Sequence, residues 1–408
     1  MISRIRLRAL AVILALAAFA GAPAQARPPT APLTILVSID GFRPDYLDRG
    51  VTPVLSGLAA SGVRAAMRPS FPSKTFPNHY AIVTGLRPDK NGVVDNTMLD
   101  PDIPGVTFKM SDKVTGADAR WWSQATPIWV TAERAGVRTA TMFWPGSDTE
   151  IQGVRPSQWL LFDQTLSPTV RTDQLLEWLD VPAKRRARFA TLYFDDVDTA
   201  GHRFGPDSTE VNAAAATVDA AVGRLVDGLK ARGIVANLVI VADHGMAATP
   251  DDQKIFYDDL LPKEAARTIT MGAFLSLYPN PSHEDEVAKA LLKPHARMQC
   301  WKKQDIPARY HYGANPRVPP YFCLPQTGWS VTTRGYKAKN PERGSHGYAP
   351  DAPEMAAVFI ASGPAFRRGA RLPAFDNVDV YPLLAKLIGV RARPGDGRLS
   401  DLEPALVP

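Results

Sequence analysis

Thr34–Asp40 reads T-I-L-V-S-I-D and Leu238–His244 reads L-V-I-V-A-D-H. Each is a short apolar run, largely β-branched, that stops on side chains able to hold a cation. Each is followed by glycine, Gly41 or Gly245. In open α/β sheets ligands gather beyond the carboxyl ends of the strands. Asp40, Asp243 and His244 are therefore expected to meet, although they lie far apart in sequence. Asp198-Thr-Ala-Gly-His202 follows a further apolar run, Phe189–Phe194, and His346 stands in Gly344-Ser-His-Gly347. These three Asp and three His, each near a strand end or in a loop, suit zinc or a similar divalent ion. Taken singly, each is as readily a helix cap, a turn residue or a surface side chain. Taken together they point to a metal centre.

A nucleophile stands in Pro69-Ser-Phe-Pro-Ser-Lys-Thr-Phe-Pro-Asn-His-Tyr80. Thr75 precedes Pro77 at the expected start of a helix, where proline is tolerated because that N–H needs no partner within the helix. A hydroxyl there feels the positive end of the helix dipole, which favours a developing alkoxide and a bound phosphate. Thr75 also reads as a helix cap, and the two roles are compatible. His79, inside the same helix, reads as a support for the loop.

The elements that must position these residues alternate along the chain. Strands are expected at Thr34–Asp40, Val63–Met67, Thr139–Phe143, Phe189–Phe194 and Leu238–Ala242. Helices are expected after Thr52-Pro53 as far as Gly62, from about Thr75 to Thr84 with Gly85 as the stop, at Arg171–Leu179 and at Glu210–Ala231. Later come strands at Ile269–Leu277, Gly328–Thr333 and Met355–Ala361, a helix at Glu284–Leu292 and a closing helix at Val378–Ile388. This order predicts a largely parallel central sheet with helices on both faces. Roughly Pro262–Arg343 reads as a less regular capping subregion of one catalytic domain spanning residues 27–408.

Residues 1–26 read as a secretory signal: Arg4, Arg6 and Arg8, then the apolar run Ala9–Ala20, then the cleavage site Ala24-Gln-Ala26. Cleavage removes three Arg and no acid, so the formal charge falls from +6 to +3. No basic block or basic–aromatic stripe favours a nucleic-acid duplex as partner, and no other run is long enough to span a membrane. The expectation is a periplasmic or secreted protein without stable membrane insertion. In an oxidising compartment the two cysteines, Cys300 and Cys323, read as a disulfide closing a Pro- and aromatic-rich insertion, with about 3 kcal/mol of stabilisation.

An ordered set of motifs resembles the nucleotide pyrophosphatase/phosphodiesterases of the alkaline phosphatase superfamily. The motifs are Ser38-Ile-Asp-Gly-Phe-Arg43, Phe71-Pro-Ser-Lys-Thr-Phe-Pro-Asn-His-Tyr80, Val83-Thr-Gly-Leu86, Gly92-Val-Val-Asp-Asn96, Phe143-Trp-Pro-Gly146, Asp198-Thr-Ala-Gly-His202, Asp243-His-Gly-Met246, Ser345-His-Gly347 and Asn377-Val-Asp-Val-Tyr-Pro382. They run through nearly the whole chain beyond the leader. Two departures stand outside the metal set: Ser73 where the family commonly has Thr, and Asp89-Lys-Asn91 where it has Glu-Ser-His. The resemblance implies an alkaline phosphatase-like fold and two zinc ions per chain. One is held by Asp198, His202 and His346, the other by Asp40, Asp243 and His244 with the Thr75 oxygen. It further implies hydrolysis of phosphodiester or pyrophosphate bonds in nucleotides through a phospho-threonine. Asn96 and the Thr75–Phe76 backbone bind the phosphate, while Phe76 and Tyr193 sandwich the base. Phosphodiesterases acting on choline-type or lysophospholipid substrates share the motifs. A phosphomonoesterase is less favoured, because Lys74, its candidate extra cation, is also present in diesterase relatives.

Overall fold

The computed structural model describes residues 32–336 and 342–408. The leader at residues 1–26 lies outside the described residues. Among the described residues no helix is long and apolar enough to cross a membrane.

Leu33–Ile39 and Phe189–Phe194 are buried at every position, which is why both read as unbroken apolar runs rather than alternating ones. They lie side by side in the middle of a nine-stranded sheet. Its main path runs Ala370–Arg371, Val63–Arg68, Ala357–Ser362, Ala236–Val241, Leu33–Ile39, Phe189–Phe194, Thr139–Met142, Gln158–Trp159. Leu33–Ile39 pairs in parallel with both neighbours, and Ser38 stands opposite Tyr193 on one side and Val241 on the other. This register brings Asp40, Asp195 and Asp243 to one carboxyl edge. Ala357–Ser362 runs antiparallel to both strands it separates, so the sheet is mixed at this point.

The helix Pro53–Ser61 starts at Thr52 and stops at Gly62 as expected, but the Thr52 side chain makes no cap bond to it. Asp219, on the long helix Thr209–Ala231, instead accepts from the Leu55 and Val54 amides at 2.7 and 3.1 Å. Thr75–Thr84 is helical and ends at Gly85, whose φ of 68° closes the last turn. A Cβ at Gly85 would also come within 2.8 Å of Tyr381, so glycine is required there both for backbone conformation and for space.

The expected strand Ile269–Leu277 is two strands. Ala266–Thr270 and Leu275–Pro279 fold back on each other, and the chain turns at Gly272, with φ 121°. With Tyr321–Pro325 and Met298–Lys302 they form a four-stranded antiparallel sheet. Glu284–Leu291 packs beside it, burying Val287 and Leu291 with Leu275, Leu277 and Met298. Cys300 and Cys323 face each other across this sheet and are joined as a disulfide.

Candidate active site

Asp40 follows the strand Leu33–Ile39, and Asp243 and His244 follow Ala236–Val241. Asp198 and His202 stand just beyond the strand Phe189–Phe194, on a helix rather than in a loop. They lie one turn apart on the helix Asp196–Phe204, and so share one face of it. Gly41, at φ 70°, lets this helix approach: a Cβ there would lie 3.1 Å from the Asp198 backbone and side chain. His346 arrives from the short strand Gly344–Ser345, which pairs with Ala247–Ala248 just beyond His244.

The three imidazoles share one arrangement. The Nδ1 atoms of His202, His244 and His346 lie 2.9, 2.9 and 2.8 Å from the carbonyl oxygens of Gly344, Gly245 and Ser73. A carbonyl oxygen only accepts, so each Nδ1 carries the hydrogen and each Nε2 is left with a lone pair. The Nε2 atoms of His202 and His346 face each other at 3.1 Å. The Nε2 of His244 stands 2.8 Å from Asp243 Oδ2, 3.5 Å from Asp40 Oδ1 and 3.2 Å from Thr75 Oγ1. Asp198 Oδ2 lies 3.5 Å from His202 Nε2, and Asp198 Oδ1 lies 3.6 Å from His346 Nε2. Asp40 Oδ1, Asp198 Oδ1 and Asp243 Oδ2 are buried without a hydrogen-bond partner. Acceptor atoms that converge in a buried site repel one another unless protons or cations lie among them. The donor set therefore fits metal ions.

The buried charges shift in both directions: against the opposing effect of burial, His244 and Asp243 hold each other charged, which raises the imidazole and lowers the carboxyl. Burial, reinforced by Asp243 and Asp198, pushes the Asp40 carboxyl well above the usual carboxylate range. Burial, with His244, Lys74 and His202 nearby, pushes the His346 imidazole well below its ordinary value.

His79 approaches the same cluster, and Asp40, His79 and Asp243 offer donor atoms within 4.8 Å of one another. Both of its nitrogens are engaged, however. Nδ1 lies 2.9 Å from the Thr75 carbonyl oxygen and Nε2 lies 2.8 Å from Ser38 Oγ. His79 thus backs Asp243, 3.4 Å away, while His244 offers a free nitrogen.

Thr75 is the first residue of its helix. Asn96 Oδ1 accepts from the Phe76 amide at 2.9 Å, so the other end of the side chain, its NH2 group, remains a donor. Of the expected Thr75–Phe76 backbone donors, the Phe76 N–H is engaged by this bond in the structure. The segment carrying Asn96 is tied to the four-stranded sheet and the loop within it. Asp95 bonds Thr270, the Val94 carbonyl accepts from Tyr312, and Asp89 accepts from the amides of Gly313, Ala314 and Asn315.

A cleft of about 480 Å³ opens beside Asp40, Thr75 and Asp198, and Phe76, Trp122, Phe162 and Tyr193 are among its walls. Tyr193 does more than line it. Its hydroxyl donates to Asp40 Oδ2 at 2.7 Å, and its ring stands edge-on to His79. Phe162 is a half-buried aromatic of the cleft that the sequence reading missed. Its only sequence signal is the short run Trp159-Leu-Leu-Phe162, which follows a turn and shows no period.

The fold and this edge-of-sheet cluster define the alkaline phosphatase-like class of α/β proteins. Comparison with known proteins places the chain within it: residues 34–349 match the family described as type I phosphodiesterase / nucleotide pyrophosphatase, and the chain belongs to that family. An uncharacterised pyrophosphatase/phosphodiesterase of Schizosaccharomyces pombe is 39% identical, over 89% of this chain and 78% of the relative. The bis(5'-adenosyl)-triphosphatase enpp4 of Xenopus laevis is 35% identical, over 91% and 80%. Among solved structures, murine ectonucleotide pyrophosphatase/phosphodiesterase 5, an inactive threonine-to-alanine variant in complex with AMP, aligns with a TM-score of 0.88. It is 33% identical, over 92% of this chain and all of that one.

Proposed function

We propose that this protein hydrolyses phosphodiester or pyrophosphate bonds in nucleotides, with two zinc ions and a covalent intermediate on Thr75. The observation that carries the reading is the convergence of three imidazole lone pairs and three unpartnered carboxylate oxygens beside one buried threonine hydroxyl. Asp198, His202 and His346 would hold one zinc; Asp40, Asp243 and His244 would hold the other, with Thr75 Oγ1 at hand. Bound there, the pair supplies Lewis acidity that lowers the hydroxyl pKa and offsets charge on the reacting oxygens. Thr75 Oγ attacks phosphorus, the bond to the leaving oxygen breaks, and the hydroxyl proton passes to solvent. Water then cleaves the phospho-threonine and restores the hydroxyl. The Asn96 amide donates to a non-bridging phosphate oxygen, a contact that strengthens as charge develops.

The AMP complex of the murine relative supports a nucleotide in the cleft. Phe76 offers a ring for a base, and Phe162 and Tyr193 are the candidates for the facing wall. A second reading has its own support. The cleft walls combine aromatic rings with Asp148 and Asp163, a lining that also suits a quaternary ammonium group. Zinc-loaded protein assayed on a nucleotide diester, a nucleotide monoester and a lysophosphocholine decides between them. The nucleotide diester is expected to show the highest kcat/KM; preference for the choline ester would replace this reading with the second.

Tyr193→Phe separates two roles. If the hydroxyl orients Asp40, its loss lowers kcat by about 10-fold on every ester, because partners that orient metal ligands have effects of that size. A role confined to stacking leaves the Phe variant at wild-type rates. The expected result is the uniform loss, read by steady-state kinetics with zinc content measured alongside.

A further inference from the structure

Arg171 is a fully buried arginine, 1% exposed, on the helix Pro168–Leu179 behind the cleft. Its guanidinium reaches two separate parts of the cleft wall. From one side Nε donates to the Leu166 carbonyl at 2.8 Å, and Nη2 stands 3.5 Å from the Gln164 carbonyl. From the other, Nη1 donates to the Tyr193 carbonyl at 3.0 Å and to Asp195 Oδ1 at 2.7 Å. Gln164 completes the ring by donating to Asp195 Oδ2 at 2.9 Å. The guanidinium also lies over two aromatic faces, with Cζ 5.3 Å from the Phe143 ring centre and 5.7 Å from that of Phe162. Phe143, Phe162, Gln164, Tyr193 and Asp195 all line the cleft. Arg171 itself does not.

Phe143 needs such support. It holds φ at 64°, a conformation that costs a non-glycine residue free energy and persists only where the surroundings over-determine it. The Thr191 hydroxyl holds its carbonyl at 3.0 Å, and Arg171 covers its ring. The loop carrying Phe162 and Gln164 runs between the short strand Gln158–Trp159 and the helix at Pro168, with no regular element of its own. A planar guanidinium with five donors can tie such a loop to a strand end; an ammonium cannot do so in one geometry.

We propose that Arg171 is a specificity-positioning residue: it sets the aromatic wall against which the nucleoside part of the substrate rests, without touching substrate or metal. The proposal rests on the nucleotide reading of the cleft. The test compares two nitrophenyl esters, one of a nucleoside 5′-phosphate and one of methylphosphonate, which has no ring to rest on the wall. Arg171→Lys and Arg171→Met are expected to lower the ratio of their kcat/KM values about 10-fold or more, chiefly through KM for the nucleotide ester, within the range that lost stacking and sub-ångström misplacement produce. Gln164→Ala, on the exposed loop, removes one member of the same ring of bonds and is expected to lower the ratio in the same direction if the Arg171 variants fold poorly. An unchanged ratio in every folded variant overturns the proposal. A wild-type enzyme that shows no preference for the nucleotide ester overturns the nucleotide reading instead, so the two failures are distinguishable.

Discussion

Thr75→Ala yields a folded protein that retains metal and has lost turnover by at least about 10³-fold, as expected when the group that forms the covalent intermediate is removed. The hydroxyl is buried at the helix start and stands 3.2 Å from His244 Nε2. The substitution removes one oxygen and one methyl group. The six Asp and His donors are anchored by other elements, and each Nδ1 keeps its carbonyl partner. Metal content and thermal stability should therefore stay near those of wild type. Rapid quenching of the wild-type reaction, followed by mass spectrometry of the peptides, should find the phosphoryl group on Thr75. Its appearance on another residue would sink the assignment.

Washed wild-type protein is expected to contain about two zinc ions per chain, and Asp198→Ala and Asp243→Ala are each expected to lose one. Each substitution removes an anionic donor from one side of the cluster and leaves the imidazoles of that side short of a charge partner. Activity should fall by about 10²-fold or more, since an effect of that order already follows when a group merely orienting a ligand is lost. Elemental analysis checks the metal and the panel of esters checks activity. One ion or none in the wild type would refute the two-site reading. Because the three His are on different backbone segments, chelation should also lower the melting temperature and not activity alone.

Much of this was legible in the residues. Buried β-branched runs that end in Asp or His carry their own signal, so Asp40, Asp243 and His244 could be found from period and residue type. The helix at Thr75–Thr84 announced its end through Gly85. What was not legible is contact between distant segments. Nothing in Thr-Leu-Tyr-Phe194 shows that the Tyr193 hydroxyl meets Asp40, because that pairing follows from strand register. Arg171 sits in an amphipathic stretch where arginine normally faces solvent, and only the packed structure shows it inside. The break at Gly272 was hidden because two short strands joined by a tight turn present one apolar run. Asp198 and His202 were placed near a strand end because the helix holding them begins two residues after that strand.

The antiparallel strand Ala357–Ser362 gives the molecule a definite order of assembly. It is made late, yet it belongs near the middle of the sheet, between Val63–Arg68 and Ala236–Val241. The other partners of Val63–Arg68, Ala370–Arg371 and Phe375–Asp376, are later still. Until Ser362 has been synthesised, Val63–Arg68 has no strand to join, and the edge of Ala236–Val241 stays open. Pairings so distant along the chain close slowly and leave strand edges exposed meanwhile. One half of the sheet, from Gln158–Trp159 across Thr139–Met142, Phe189–Phe194 and Leu33–Ile39 to Ala236–Val241, is made early, and the other half waits for Ser362. A polypeptide ending before Ala357 would leave Ala236–Val241 as an open sheet edge, prone to take a strand from another molecule.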